Sequence, residues 1–461
     1  MTDRPSQPLD VAIAGGGVTG LTLAYLLQKA GLRVTVLERR SRPGGVIRSE
    51  RLSGFLFDAG PNSTMARSPY VLDLIEALGL NEAVRYAGDR AASRYVLRQG
   101  RLCKLPDGPT TFLRTDLLSP RARLRVLGEV FVPRGAATAE ESVADFVTRR
   151  LGPEFLDYVI DPFVAGIFAG DPAQLNLKAA FPRLYALERD YGGLFRGMLR
   201  KRFEKKSGRA APMPGARLFS FDAGMQTLTD ALARHLGPAL QTDTPVERIE
   251  RRGDGFLIET ANGEATAARR VILACPAYVT ASLIERLDAD AAQSLASLPY
   301  APVAVVFYGF KRADVAHPLD GFGCLVPKKE RRAILGTLWN SSLFPGRAPG
   351  GHVALTTFVG GLRQPDLARL PDDALHRLVR EELDAILGLT GAPVVARIRR
   401  LKRAIPQYTE GHPAVIEAVE RLERRCPGLH VAGNFRGGVS VADCIANAHS
   451  LAHTLAPQEN P

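Results

Sequence analysis

The segment Val11–Leu27, VAIAGGGVTGLTLAYLL, constrains the fold more than any other part of the chain. Val11–Ala14 is the short apolar run of a buried parallel strand, and Gly15, Gly17 and Gly20 supply G-x-G-x-x-G directly ahead of the helical spacing Leu23, Leu26, Leu27, Ala30. Strand, tight turn and helix in that order predict a dinucleotide-binding βαβ unit, in which the free N–H groups and positive dipole end of the helix seat a pyrophosphate. After Gly31, Arg33–Leu37 reads as a second strand ending at Glu38, a carboxylate placed to accept hydrogen bonds from a ribose 2′-hydroxyl. This selects FAD or NAD over NADP. A second close glycine pair, Gly44 and Gly45, follows beside Arg39, Arg42 and Arg48. Another backbone approach past the ribose suits a longer cofactor whose ribityl chain and flavin continue inward, and so favours FAD.

A second glycine-rich turn lies near the other end. In Leu429–Ala448, LHVAGNFRGGVSVADCIANA, a strand leads through a turn over Gly433–Gly438 into a predicted helix, Val441–Leu455, with apolar residues at Val441, Ile445, Ala448 and Leu451. Between the two turns, Glu247–Pro276 carries turn signals at GDG and ANGE between alternating runs, which predicts a hairpin and a further strand. Tyr300–Phe310 and Gly351–Gly360 read as strands of a second sheet.

Composition narrows the function classes. The 461 residues, 46% apolar and 23% charged, are those of a globular enzyme-sized chain. No apolar run approaches the roughly 18 residues of a bilayer span, and the first ten residues lack the basic start of a secretory signal. The cytoplasm is the expected compartment. Cys103, Cys275, Cys324, Cys426 and Cys444 lie far apart without CxxC spacing, so reduced cysteines and no metal site are expected. The net charge of +12 favours anionic partners, but no nucleic-acid-binding motif accompanies it.

The first turn, the glycine pair and the further segments Phe57–Ser63 (FDAGPNS), Arg94–Leu102 (RYVLRQGRL), Ile160–Pro182 (IDPFVAGIFAGDPAQLNLKAAFP), Ser220–Leu232 (SFDAGMQTLTDAL), Gly336–Pro349 (GTLWNSSLFPGRAP) and Ala404–His412 (AIPQYTEGH) resemble the oxygen-dependent protoporphyrinogen oxidases of the FAD-dependent amine oxidase superfamily. These segments run in the family's order through nearly the whole chain. The resemblance implies one non-covalent FAD served by both turns: Gly15, Gly16, Gly17, Val18, Thr19 and Gly20 at the pyrophosphate; Glu38, Arg39, Gly44, Gly45 and Val46 beyond it; Gly60, Pro61, Asn62 and Ser63 in FDAGPNS; Val246 on the adenine side; and Gly433, Asn434, Val439, Ser440 and Val441 in the closing motif. The closing helix would point its positive end at the flavin edge that gains negative charge on reduction.

The resemblance also implies a tetrapyrrole substrate, protoporphyrinogen IX, with O2 as acceptor and H2O2 released. Arg94 would hold a propionate, Leu325 and Phe344 would sandwich a pyrrole, and Gly166 would let the macrocycle edge reach the flavin. No side chain is required as a strong base, because imine–enamine tautomerisation relays the protons. Two alternatives share the fold: coproporphyrinogen III oxidation, and a non-redox prenyl-binding escort protein. One departure stands out, Leu401 and Lys402 where the family has a Trp-Pro pair near the flavin.

The expected fold class is α/β plus α+β: a Rossmann-like FAD-binding domain, discontinuous in sequence (1–66, 218–290 and 400–461), a mixed-sheet substrate domain (67–90 and 291–399) and a helical insertion (91–217). In that insertion, Leu194, Phe195, Met198, Leu199 and Phe203 fall on one helical face ringed by basic residues, the pattern of a helix that lies on an anionic membrane or packs into a core. The sequence does not fix the oligomeric state; a homodimer is compatible with the resemblance.

Overall fold

The opening strand Leu9–Ala14 lies between Val34–Leu37 and Ala265–Leu273, all three parallel, at the centre of the first sheet. The computed structural model describes residues 8–66, 68–135, 140–206 and 217–456. Parallel strands covered on both faces are apolar throughout, which is why Val34–Leu37 is buried along its whole length. Leu240–Gln241 extends one edge in parallel, and Val246–Arg252 with Gly255–Thr260 forms the expected hairpin at the other. Near the chain's end, Leu429–Val431 pairs in parallel with Val271–Leu273. The chain thus closes on the sheet in which it began, and the helices Val18–Lys29 and Val441–Leu455 pack together over it through Leu23, Leu27, Ile445 and Ala448.

The second sheet runs Val395–Pro406, Tyr300–Lys311, His352–Gly360, Ile334–Leu338, Gly323–Leu325, Tyr95–Arg98, Arg101–Lys104. Its long strand Tyr300–Lys311 is buried on both faces: Ala304, Val306, Tyr308 and Phe310 meet the helix Asp372–Leu387, whereas Ala301, Val303, Val305 and Phe307 meet Phe55 and Phe57. This is the two-residue alternation of a strand. The helix answers with Leu375, Val379, Leu383 and Leu387, four apart on one stripe.

Pairing moves three of the expected boundaries. The hairpin Tyr95–Lys104 extends the second sheet, although it falls within the segment read as helical insertion. Val395–Pro406 runs the full edge of that sheet, including the residues from 400 onward assigned to the FAD unit. Pro69–Ala77, assigned to the substrate unit, buries Val71, Leu74 and Ile75 in the core of the first sheet's helices. Partner choice in each case depends on tertiary contacts that periodicity does not carry.

The helical insertion is organised by a fully buried pair, Arg150 Nε donating to Glu129 Oε1 at 2.9 Å. Glu129 also accepts from Leu194 N at 2.8 Å and Phe195 N at 3.1 Å. That pins the first turn of Leu194–Lys206, so Leu194 is buried and Phe195 half-buried. Met198, Leu199 and Phe203 instead project into solvent, and the single apolar face expected there is split. The following segment 205–217, KKSGRAAPMPGAR, whose proline and glycine predict a loop, lies largely outside the described residues.

Three of the segments that carry the family resemblance meet at Asp58. Its carboxylate takes Arg347 Nη1 at 2.7 Å, Ser49 Oγ at 2.5 Å and Met225 N at 2.9 Å, while Arg347 Nη2 donates to Ser220 Oγ at 2.5 Å. Both charges are 1% exposed. Burial pushes the Asp58 carboxyl up and the Arg347 guanidinium down, and their pairing opposes both shifts. Removing one partner strands the other in the interior, so Arg347→Ala is expected to lower unfolding stability by about 3–5 kcal/mol, measured by denaturant titration; a loss within about 0.5 kcal/mol, the usual range for a surface substitution, would contradict this role.

Candidate functional site

At the first turn Gly15 adopts φ +110°, and a side chain there would meet the Ala274 carbonyl oxygen at 2.7 Å. A methyl group on Gly20 would collide with the Gly15 carbonyl, so that glycine is required for helix and strand to approach. Gly17 differs: its φ is −76°, and no atom lies within 4 Å of the space a side chain would enter. Open space over a helix N-terminus is the place a phosphate needs. Gly45, at φ +61°, faces it, with a built Cβ 3.3 Å from Gly17 Cα, and Gly44 N donates to Gly16 O at 2.7 Å. The two glycine loops are thus bound to each other.

Glu38 is buried at the end of the second strand and accepts from Gly16 N at 2.7 Å and Arg40 N at 3.0 Å. Gln241 O accepts from Glu38 N and Thr244 N donates to Glu38 O, which sets the approach to Val246 beside the acidic residue. Val246 itself begins the hairpin at an irregular register. Arg39 is exposed, and Val18 packs on the helix core. Val46 is 40% exposed at the end of the second glycine loop. Gly60 abuts its carbonyl, and Pro61 and Ser63 flank a buried Asn62 that donates to Gly60 O and accepts from Asn340 Nδ2 at 2.7 Å.

The closing turn is held from outside the first sheet. Tyr408 Oη donates to Asn434 O at 2.8 Å and accepts from Gly438 N at 3.0 Å, with its ring stacked on His412, whose Nε2 meets Phe435 O at 2.7 Å. The preceding Gln407 donates to Phe168 O at 2.8 Å. These side chains, in a segment quoted for its resemblance, were not singled out individually in the sequence. Gly433 takes φ +150° and Val439 packs toward the helical insertion. Ser440 caps the closing helix through a capping box with Asp443, and Val441 begins it. Thr19, at the start of the first helix, hydrogen-bonds the buried Cys444, whose thiol burial pushes up to about 11. All five cysteines are free, as expected.

The four residues expected at the substrate fall into two groups. Gly166, on the helix Asp161–Phe168, faces Leu325: a side chain on it would lie 3.1 Å from Leu325 Cδ2. Phe344 is buried with Ala91 and Leu343, and Phe322 packs on that cluster. Arg94 is exposed, its guanidinium 5.2 Å from the Phe322 ring centroid. Phe322 precedes the strand Gly323–Leu325, so the two groups adjoin along one strand. The arrangement offers an apolar wall with a cation at its rim.

The sequence profile of the flavin containing amine oxidoreductases matches residues 18–455. The chain belongs to this family. It is 34% identical to protoporphyrinogen oxidase 2, chloroplastic/mitochondrial, of Arabidopsis thaliana, over 95% of this chain and 92% of the relative. It is 28% identical to the coproporphyrinogen III oxidase of Bacillus subtilis (strain 168), over 94% and 95%. A crystal structure from Exiguobacterium sp. 255-15, provisionally assigned as a protoporphyrinogen oxidase, superposes with TM-score 0.81 at 27% identity, covering 98% of this chain and all of that one. Reduced UDP-galactopyranose mutase, at 18% identity and TM-score 0.74 over 98% and 96%, shares the fold. As a member of the flavin containing amine oxidoreductases the protein is an oxidoreductase whose cofactor is FAD, and the open cradle between Gly17 and Gly45 fits its pyrophosphate.

The two glycines separate fold from binding. Gly17→Ala is expected to abolish co-purified flavin absorbance while unfolding at nearly the temperature of the flavin-free wild-type protein, because its methyl group enters the cradle alone. Gly20→Ala is expected to lower stability as well. Full flavin content in Gly17→Ala would remove the cradle from the binding site.

Proposed function

We propose that the protein oxidises protoporphyrinogen IX to protoporphyrin IX, each two-electron step passing to O2 with release of H2O2. The reading is carried by near-full-length likeness to curated protoporphyrinogen oxidases, at 34% identity to those of Arabidopsis thaliana and Nicotiana tabacum mitochondria, and the apolar wall with Arg94 at its rim agrees with it. FAD, when bound, supplies the hydride acceptor.

The chain supplies binding and orientation. The N–H groups at the start of Val18–Lys29, with Gly15, Gly16, Gly17, Gly44 and Gly45, would hold the pyrophosphate, and Glu38 retains acceptor capacity for a ribose hydroxyl. Gly60 through Ser63 and the closing turn, Gly433 to Val441, would flank the flavin. Arg94 presents a planar fork for a propionate, held over Phe322 so that little further freedom is lost on binding. Gly166 spares Leu325 a side chain that would crowd it, so a macrocycle edge would meet backbone there, and the Phe344 cluster along the same strand would exclude water. No side chain is assigned as a base.

The insertion bears exposed apolar side chains, Leu124, Leu127 and Phe131 on one segment and Met198, Leu199 and Phe203 on the helix packed beside it. Arg121, Arg123, Arg196, Arg200 and Lys201 lie on the same two segments. This surface would rest on an anionic bilayer at the cytoplasmic side, where a poorly soluble product is released. No helix among the described residues is long and apolar enough to cross a membrane.

Given protoporphyrinogen IX or coproporphyrinogen III in air, the purified yellow protein is expected to form protoporphyrin fluorescence faster. The reverse preference would move the assignment to coproporphyrinogen, as the Bacillus subtilis relative suggests, and no turnover of either would end the proposal. Arg94→Ala is expected to raise KM for protoporphyrinogen about tenfold, the loss of a charge-assisted contact of roughly 1.5 kcal/mol, with flavin content unchanged; an unaltered KM would remove Arg94 from the propionate. The double variant Phe131→Ser, Phe203→Ser is expected to stop co-sedimentation with phosphatidylglycerol vesicles, and retained co-sedimentation would remove this surface from the bilayer.

A further inference from the structure

We infer that Arg399 is a positioning residue for the cofactor: reaching across from the second sheet, it ties together the two loops that line the flavin groove and sets a positive charge against them. Arg399 stands on the edge strand Val395–Pro406, opposite Val305 in register. Its Nη1 leaves that sheet and donates to Val46 O and Ala59 O, each at 3.2 Å. Val46 ends the loop begun by Gly44 and Gly45; Ala59 begins the run into Gly60, Pro61 and Asn62. The loops already interlock, since Ala59 N donates to Arg48 O at 2.8 Å and a side chain on Gly60 would run into the Val46 carbonyl. The guanidinium adds a tie between this junction and a strand of the other sheet.

Charge gives the tie a second role. Arg40 donates to Gly45 O at 3.0 Å and Arg42 to Ile47 O at 3.3 Å, so three successive carbonyls, those of residues 45 to 47, each meet an arginine. Arg399 is more than half withdrawn from water; burial first, then Arg48, Arg42 and Arg40, draw its pKa down to about 10. The nearby counter-charge, Glu50, is engaged by Arg48 at 2.6 Å. Among the described residues Arg399 pairs with no carboxylate, and a partly buried cationic group so placed is stabilised by an anionic ligand; a dinucleotide that gains electrons is such a ligand. Leu401, on the same face of the strand two residues on, is apolar, whereas Arg399 links this strand to the loops by hydrogen bonds.

The inference is independent of which porphyrinogen is oxidised. It is tested on the holoenzyme by following FAD release as recovered flavin fluorescence, and by redox titration of the bound flavin. Arg399→Met is expected to release FAD about tenfold faster and to shift the bound flavin to a more negative midpoint potential. Arg399→Lys, which keeps the charge but not the fork, is expected to retain the wild-type potential while releasing FAD at an intermediate rate. A potential unchanged in Arg399→Met, or a Lys variant that falls as far as the Met variant, would overturn the inference. Should Arg399→Met not accumulate as a folded protein, the Lys variant alone decides: loss of the wild-type potential there overturns it.

Discussion

Parallel pairing of Leu429–Val431 with Val271–Leu273 is the constraint on which the site depends. The same strand, Ala265–Leu273, pairs with Leu9–Ala14 on its other side, so the two glycine turns emerge at one end of one sheet and their helices lie packed together. Two helix N-termini, otherwise far apart in sequence, thereby start at the same end of one sheet with their dipole ends there. With register set by apolar strands buried on both faces, the turns need no further device to find each other.

Around this pairing, the recognisable segments of the chain hold one another rather than acting singly. FDAGPNS, SFDAGMQ and SSLFPGR converge on the Asp58 carboxylate. GPN reaches WNSS through the amides of Asn62 and Asn340. The IPQY segment takes the end of the helix carrying Gly166 with Gln407 and the closing turn with Tyr408. Buried hydrogen-bonded groups of this kind specify one arrangement, because leaving any member unpaired costs more than its bond contributes.

This explains what could be read beforehand and what could not. The strands VAIA and LHV, both glycine turns and the closing helix were legible because each follows from local spacing and from conformations that glycine alone adopts readily. Roles for Arg94, Gly166, Leu325 and Phe344 came from resemblance, since nothing in their local patterns distinguishes them. Arg399 and Arg347 were not legible. In RIRRLKR an arginine on an edge strand reads as solvated, and in a Pro-Gly loop it reads as a turn residue; in each case burial is conferred by a distant segment. The exposed half of the helix Leu194–Lys206 was hidden for the converse reason, since a buried carboxylate far back in the chain decides which turn is pinned.

The position of the closing strand also has a consequence in time. The cradle between Gly17 and Gly45 comes from a segment that precedes the closing turn by most of the chain, and Tyr408, which holds that turn, also rests on the helical insertion. A nascent chain can therefore present half of the groove long before the other half exists. The closing turn takes its place only when Leu429–Val431 docks in parallel on Val271–Leu273, so the two glycine turns come together through a contact between distant segments and not through local folding of either.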